Sequence, residues 1–152
     1  MTDLIETRPF TNALRAMLEA GTGKPVGKGR RPDGNPSRYY ILYRVDRTTE
    51  GAQYSDLNED ATLIYQVTAV SGPDPNDPDS YGTQDQLEWL EDKARTVILG
   101  RDPATGAWLY PLAVDGVRIM ARLPETEPGG TPDPTDGIMS SASRFAFKLN
   151  ST

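Results

Sequence analysis

The sequence predicts an α+β fold: an antiparallel β-sheet of about four main strands with two helices packed on one face, joined by long Pro/Gly-rich loops. Three observations carry this expectation. Two segments space their apolar residues at the helical period, and four alternate apolar with polar residues as strands do. The segments also follow one another in the order α-β-β-α-β-β, which favours antiparallel pairing with the helices gathered on one side.

The first helix is expected over residues 7–20. Phe10, Leu14, Met17 and Leu18 fall at i, i+4, i+7 and i+8, so they share one face. Pro9 lies in the first turn, where a missing N–H breaks no helical bond, and Gly21 supplies a stop. Residues 21–37 are rich in Gly, Pro and basic side chains without periodicity, and read as a flexible loop. Residues 38–45, dense in aromatic and β-branched side chains, predict a strand with Tyr39, Ile41, Tyr43 and Val45 on one face. Residues 61–71 predict a second, with Leu63, Tyr65, Val67 and Ala69 opposite Thr62, Ile64, Gln66 and Thr68. These two are expected to form a hairpin with residues 46–60 as its loop.

A Pro/Asp/Gly stretch over residues 72–82 reads as another flexible loop. The second helix is expected to begin near Thr83, which with Gln86 makes a capping box. Leu87, Leu90, Ala94, Val97 and Ile98 form its apolar stripe, and Gly100 ends it. Residues 101–116 hold a Pro-Ala-Thr-Gly turn and a short strand at 107–110. Val117, Ile119, Ala121 and Leu123 then alternate with Arg118, Met120 and Arg122, a strand with one wet face. Residues 124–137 are too rich in Pro and Gly for regular structure. Phe145, Phe147 and Leu149 alternate with Arg144, Ala146 and Lys148 in a closing strand.

A chain of 152 residues fits a single domain over 1–152 with one core of ordinary size. The hydrophobic share is 36%, with 14 Gly and 13 Pro, which predicts a compact core carrying long irregular excursions. No Cys is present, which excludes disulfides, thiolate metal sites and Cys nucleophiles. No His is present either, which removes the commonest general base and metal ligand. The sequence shows no secretory signal, and its apolar runs are strand-sized, far below the ~20 residues of a membrane span. A soluble protein is expected, with no membrane partner.

The net charge of −6 argues against a general nucleic-acid binder, so no sequence-specific nucleic-acid partner is expected. The charge is uneven. Lys24, Lys28, Arg30, Arg31 and Arg38 crowd one stretch with only Asp33 among them, whereas residues 74–92 hold seven acidic residues and no basic one. Acidic helix faces are ordinarily just solvated. The sharper reading is a head-to-tail contact between subunits, in which the basic loop of one meets Asp85, Glu88, Glu91 and Asp92 of the next.

Motifs that could carry chemistry fail on inspection. The run from Gly21 to Lys28 resembles a phosphate loop, yet no Gly stands four residues before a Gly-Lys pair followed by Ser or Thr. Residues 74–79 resemble a calcium loop, but Pro78 occupies its fifth position. Tyr39, Tyr40, Tyr43, Tyr54 and Tyr65 could stack bases, although tyrosines equally suit strand cores and interfaces. The carboxylates sit in Pro-rich loops or on a helix surface, without the desolvation that acid catalysis needs. The expectation is therefore a protein that is not an enzyme, with no catalytic, cofactor-binding or metal-binding residues.

The helix PFTNALRAMLEA leads into GTGKPVG, followed by RYYILY and ATLIYQVTAV. The helix QLEWLEDKARTVIL, the strand VRIMARL and the closing RFAFKL complete the order. Together these segments resemble the tail terminator proteins of long-tailed bacteriophages, of the kind encoded by phages of actinobacteria. The resemblance spans almost the whole chain and rests on the order of elements. It implies a small α+β fold assembling as a hexameric ring at the head-proximal end of the tail. Such a ring caps the tail tube, ends its polymerisation and presents a surface to the head connector or stopper protein. The partners it implies are further copies of the chain, the tail tube protein and that connector. Another neck component is the nearest alternative, and a single-strand nucleic-acid-binding module a more distant one.

Overall fold

The computed structural model describes residues 4–34, 36–50, 60–74, 76–77, 80–126, 131–133 and 138–151. Its centre is β3 (Asp60–Ser71), paired along its whole length on both sides. β2 (Arg38–Glu50) and β6 (Ile138–Ser151) flank it antiparallel, and β4 (Val117–Thr126) lies beyond β6. β1 (Val26–Lys28) joins β2 in parallel, giving the path β1-β2-β3-β6-β4, while β5 (Thr131–Asp133) pairs with the start of β6.

Alternation along β3 builds the core. Ala61, Leu63, Tyr65, Val67 and Ala69 are all buried, and they face Leu149, Phe147 and Phe145 of β6 and Leu42 and Tyr40 of β2. Helix α1 (Thr7–Thr22) adds Phe10, Leu14, Met17 and Leu18, and α2 (Gln84–Leu99) adds Leu87, Leu90, Ala94, Val97 and Ile98. These side chains form one cluster, so both helices cover the same face. The rings of Phe10, Tyr65 and Phe147 meet at centroid separations of 5.3 to 5.8 Å. Each such side chain contributes about 1.5–3 kcal/mol by leaving water.

The helix ends follow local chemistry. The hydroxyl of Thr83 accepts from the Gln86 N–H at 3.2 Å, as a cap should. The Gln86 side chain does not complete the expected capping box; its amide oxygen accepts instead from Ser71 Oγ at 2.8 Å, tying the helix start to β3. Gly100 ends α2 in extended conformation, its N–H donating to Thr96 O. Helix α1 runs past Gly21 to a left-handed Gly23, φ 72°. Gly21 lies where the helices approach each other: a Cβ there would sit 2.6 Å from Val97 Cγ2.

Several expectations need correction. The sheet is mixed, not antiparallel throughout, because β1 forms within the stretch read as irregular. The segment 124–137 is not wholly irregular: β4 extends to Thr126, β5 occupies Thr131–Asp133, and 127–130 and 134–137 fall outside the described residues. The hairpin connection is shorter than 46–60, since β2 reaches Glu50; residues 51–59 fall outside the described residues. The short strand expected at 107–110 is only a bridge between Arg101 and Trp108.

Register shifts in β2 and β4 reset the faces. In β2 the helix-facing side chains are Tyr40 and Leu42; Tyr39, Ile41 and Tyr43 face away, and a bulge at Val45 interrupts their series. In β4 the register slips between Ile119 and Ala121. Met120 is the extra residue, and beyond it the phase inverts. Arg122, expected on the wet face, is 3% exposed opposite Phe147, whereas Leu123 is turned outward.

Candidate assembly surface

The basic stretch is tied down by α1. Arg15 Nε donates to Val26 O at 2.9 Å, the Glu19 carboxylate accepts from Val26 N–H at 3.1 Å, and Lys28 Nζ donates to Asn12 Oδ1. These bonds hold residues 26–28 where they can pair with β2. The chain then doubles back so tightly that a Cβ at Gly27 would lie 1.9 Å from Arg30 O. A groove of about 380 Å³ results, and Arg15, Lys28, Arg30 and Arg31 line it with Glu19 and Asp33. Arg31 donates to Pro36 O at 3.0 Å and lies 5.3 Å from the Tyr39 ring centroid. The exposed Arg30–Asp33 pair, 3.6 Å apart, contributes little to stability.

The acidic residues of α2 divide. Asp85, Glu88 and Asp92 are exposed at i, i+3 and i+7, a stripe along the outer face. Asp85 sits in the first turn, where the helix dipole favours it. Glu88 accepts from Gln84 Nε2 at 3.0 Å. Glu91 stands apart: it is half-buried and lines a small cavity against Ser141, Ser143 and Phe145 of β6.

The basic set divides as well. Lys24 and Arg38 line a cavity of about 390 Å³ with Asp85, Gln86 and Trp89 of their own α2. Lys24 and Lys93 each place Nζ 5.6 Å from the Trp89 centroid. Thus Lys28, Arg30 and Arg31 face the α1 groove, while Lys24 and Arg38 adjoin the acidic helix within the subunit. Trp89, 44% exposed, is the residue sequence reasoning missed. Its signal was an indole among charges, off the Leu87–Leu90–Ala94 stripe.

The tyrosines do not form a platform. Tyr40 and Tyr65 are fully buried on the helix side; Tyr39 is buried on the opposite face, where Tyr43 is partly exposed, and Tyr54 lies outside the described residues. Burial holds the Tyr40 hydroxyl far above its ordinary ionisation range, and it donates to Leu90 O at 2.6 Å. Burial likewise raises Tyr65, against weaker opposing effects of Thr11, Arg44 and Arg47. Among the described residues of 74–79, Asp74 Oδ1 accepts from the Asn76 N–H. No group of three or more acidic residues that could hold a metal occurs among the described residues, and no described helix is long and apolar enough to cross a membrane.

No protein-family model matches the sequence, and no curated protein matches it. In fold, the chain is similar to one in a solved structure titled "Virion of native gene transfer agent (GTA) particle". The TM-score is 0.60 at 10% identity, over 95% of this chain and 96% of that one. At such identity the likeness is one of fold.

Proposed function

We propose that this protein is a non-enzymatic structural component of a virion, and within that class the tail terminator. The observation that carries the reading is the near end-to-end fold likeness to a chain of a phage-like particle. The order of sequence segments, which resembles tail terminators of long-tailed phages, narrows it. In this reading the chain forms a hexameric ring at the head-proximal end of the tail, ends tube growth and joins the tube to the head connector or stopper protein. A head-completion or stopper protein would share the same non-enzymatic character and is the alternative.

The ring contact we infer is heterologous. The groove bearing Lys28, Arg30 and Arg31 on one subunit receives the Asp85–Glu88–Asp92 stripe of the next. The two charged surfaces belong to different elements, so a contact between them can propagate around a closed ring. Lys24, Arg38 and Glu91 would then act inside the subunit or at its edge.

The test is the mass of the purified protein by light scattering, alone and with assembled tail tubes. About six subunits, or capture of a monomer onto tube ends, is the expected result. A monomer that ignores tube ends but binds assembled connectors would move the assignment to the stopper. A monomer that binds neither would overturn the structural reading.

A further inference from the structure

Among the described residues, Arg122 is a buried cation without a counter-ion. It is 3% exposed, its Nε has no hydrogen-bond partner, and Nη1 donates only to Ile98 O, at 3.3 Å, in the last turn of α2. Among the described residues, the charged group that acts on it is Arg101, which has the same sign. Both guanidinium groups lie against one indole: Arg101 Cζ is 4.0 Å and Arg122 Cζ 4.5 Å from the Trp108 centroid. Asp102, next to Arg101 in sequence, is engaged in its own turn, accepting from Ala104 N–H at 2.9 Å.

The turn that presents Trp108 is firmly built. Asp102 N–H donates to Ala107 O, Gly106 N–H to Asp102 O, and Leu109 N–H to Gly100 O, at 2.7 to 3.0 Å. Leu109, which follows Trp108 in the chain, is 49% exposed, and Arg101 is exposed as well. An aromatic brace thus holds two like charges together next to an apolar side chain. A helix C-terminus and an indole face offset part of the cost of burying Arg122, but neither is a full negative charge. The missing group is an anion, and a carboxylate is the side-chain anion that guanidinium groups bind best.

We propose that Arg101 and Arg122, braced on Trp108, form a receptor for a carboxylate in an acidic peptide segment of another protein, whose apolar neighbour covers Leu109. The site is at the C-terminal end of α2, whereas the acidic stripe begins at its N-terminal end. The proposal therefore does not rest on the ring contact.

The test uses the full chain carrying Trp89→Phe, so that Trp108 is the sole indole. It is titrated with acetylated, amidated hexaglutamate and, in parallel, with hexaglutamine. Expected are a saturable change in Trp108 emission and a shift of the Arg122 Nε–H resonance with hexaglutamate alone. Both should weaken at least tenfold in Arg101→Gln, an exposed substitution that leaves the core intact. An equal response to hexaglutamine, or an unchanged affinity in Arg101→Gln, would overturn the proposal. So would saturation by acetate at the same carboxylate concentration, which would reveal a free-anion site. A Trp108 change that tracks protein concentration without peptide would assign the surface to self-association and overturn it too.

Discussion

Tyr40 shows how one buried hydroxyl joins the two layers. Its ring fills the core beneath α2, and its O–H reaches Leu90 O, which is also an acceptor within the helix. Tyr40→Phe should therefore cost about 0.5–1.5 kcal/mol in denaturant unfolding, since the carbonyl retains its helical partner. The same residue sets an alkaline limit. Its folded-state ionisation lies above the ordinary value of 10.0, so above about pH 10 the unfolded chain loses the proton first. The stabilisation is whole below that pH and is lost as pH rises toward the folded value. Tyr65 acts in the same direction. Arg122 acts oppositely: burial, then Arg101, lowers it from its ordinary value to about 10, so above that pH the folded protein releases this proton first and gains stability. Stability measured from pH 9 to 11.5 should fall, less steeply in Tyr40→Phe and more steeply in Arg122→Gln. Identical slopes in all three proteins would contradict this account.

At the scale of elements, the helices and β3 were legible because their periodicity and caps agree with their burial. Thr83→Ala should cost about 1 kcal/mol by removing the Gln86 N–H acceptor, seen as a lowered denaturation midpoint with unchanged slope. Gly21→Val should cost more than its helix propensity predicts, because its Cβ position lies 2.6 Å from Val97 Cγ2. Restoration of stability by Val97→Ala in that background would identify the clash as the cause. What the sequence concealed has physical reasons. β1 is only three residues long, and tertiary bonds from Arg15 and Glu19 hold it, not a pattern of its own. Pro124 is tolerated in β4 because that strand ends the sheet path and needs no partner on its outer side. The Met120 bulge shifts β4 by one residue, and a period-two reading cannot register an inserted residue; this is why Arg122 was assigned to water. The charged candidates were legible as groups but not as surfaces. Linear spacing does not reveal that Lys24 and Arg38 adjoin Asp85 while Lys28, Arg30 and Arg31 open onto α1.

For the whole molecule, the proposed ring has to form from chains of net charge −6. Uniform acidity would drive copies apart, whereas a basic groove and an acidic stripe on separate elements let local attraction exceed the mean repulsion at short range. Contacts of this kind are screened, with a Debye length of about 10 Å at 0.1 M salt and about 3 Å at 1 M. Assembly measured by sedimentation should therefore weaken as salt is raised. Reversal of the groove alone (Lys28→Glu, Arg30→Glu, Arg31→Glu) should weaken it at low salt, and so should reversal of the stripe alone (Asp85→Lys, Glu88→Lys, Asp92→Lys). Combining both reversals in one chain restores opposite charges across the contact, so the combined variant should assemble again, with the same salt dependence as the unaltered protein. Rescue separates a direct contact from damage to the fold, because damaged subunits would not recover on further substitution. If either single reversal left assembly unchanged, or if the combination assembled no better than its parents, the groove and stripe would not be the ring contact.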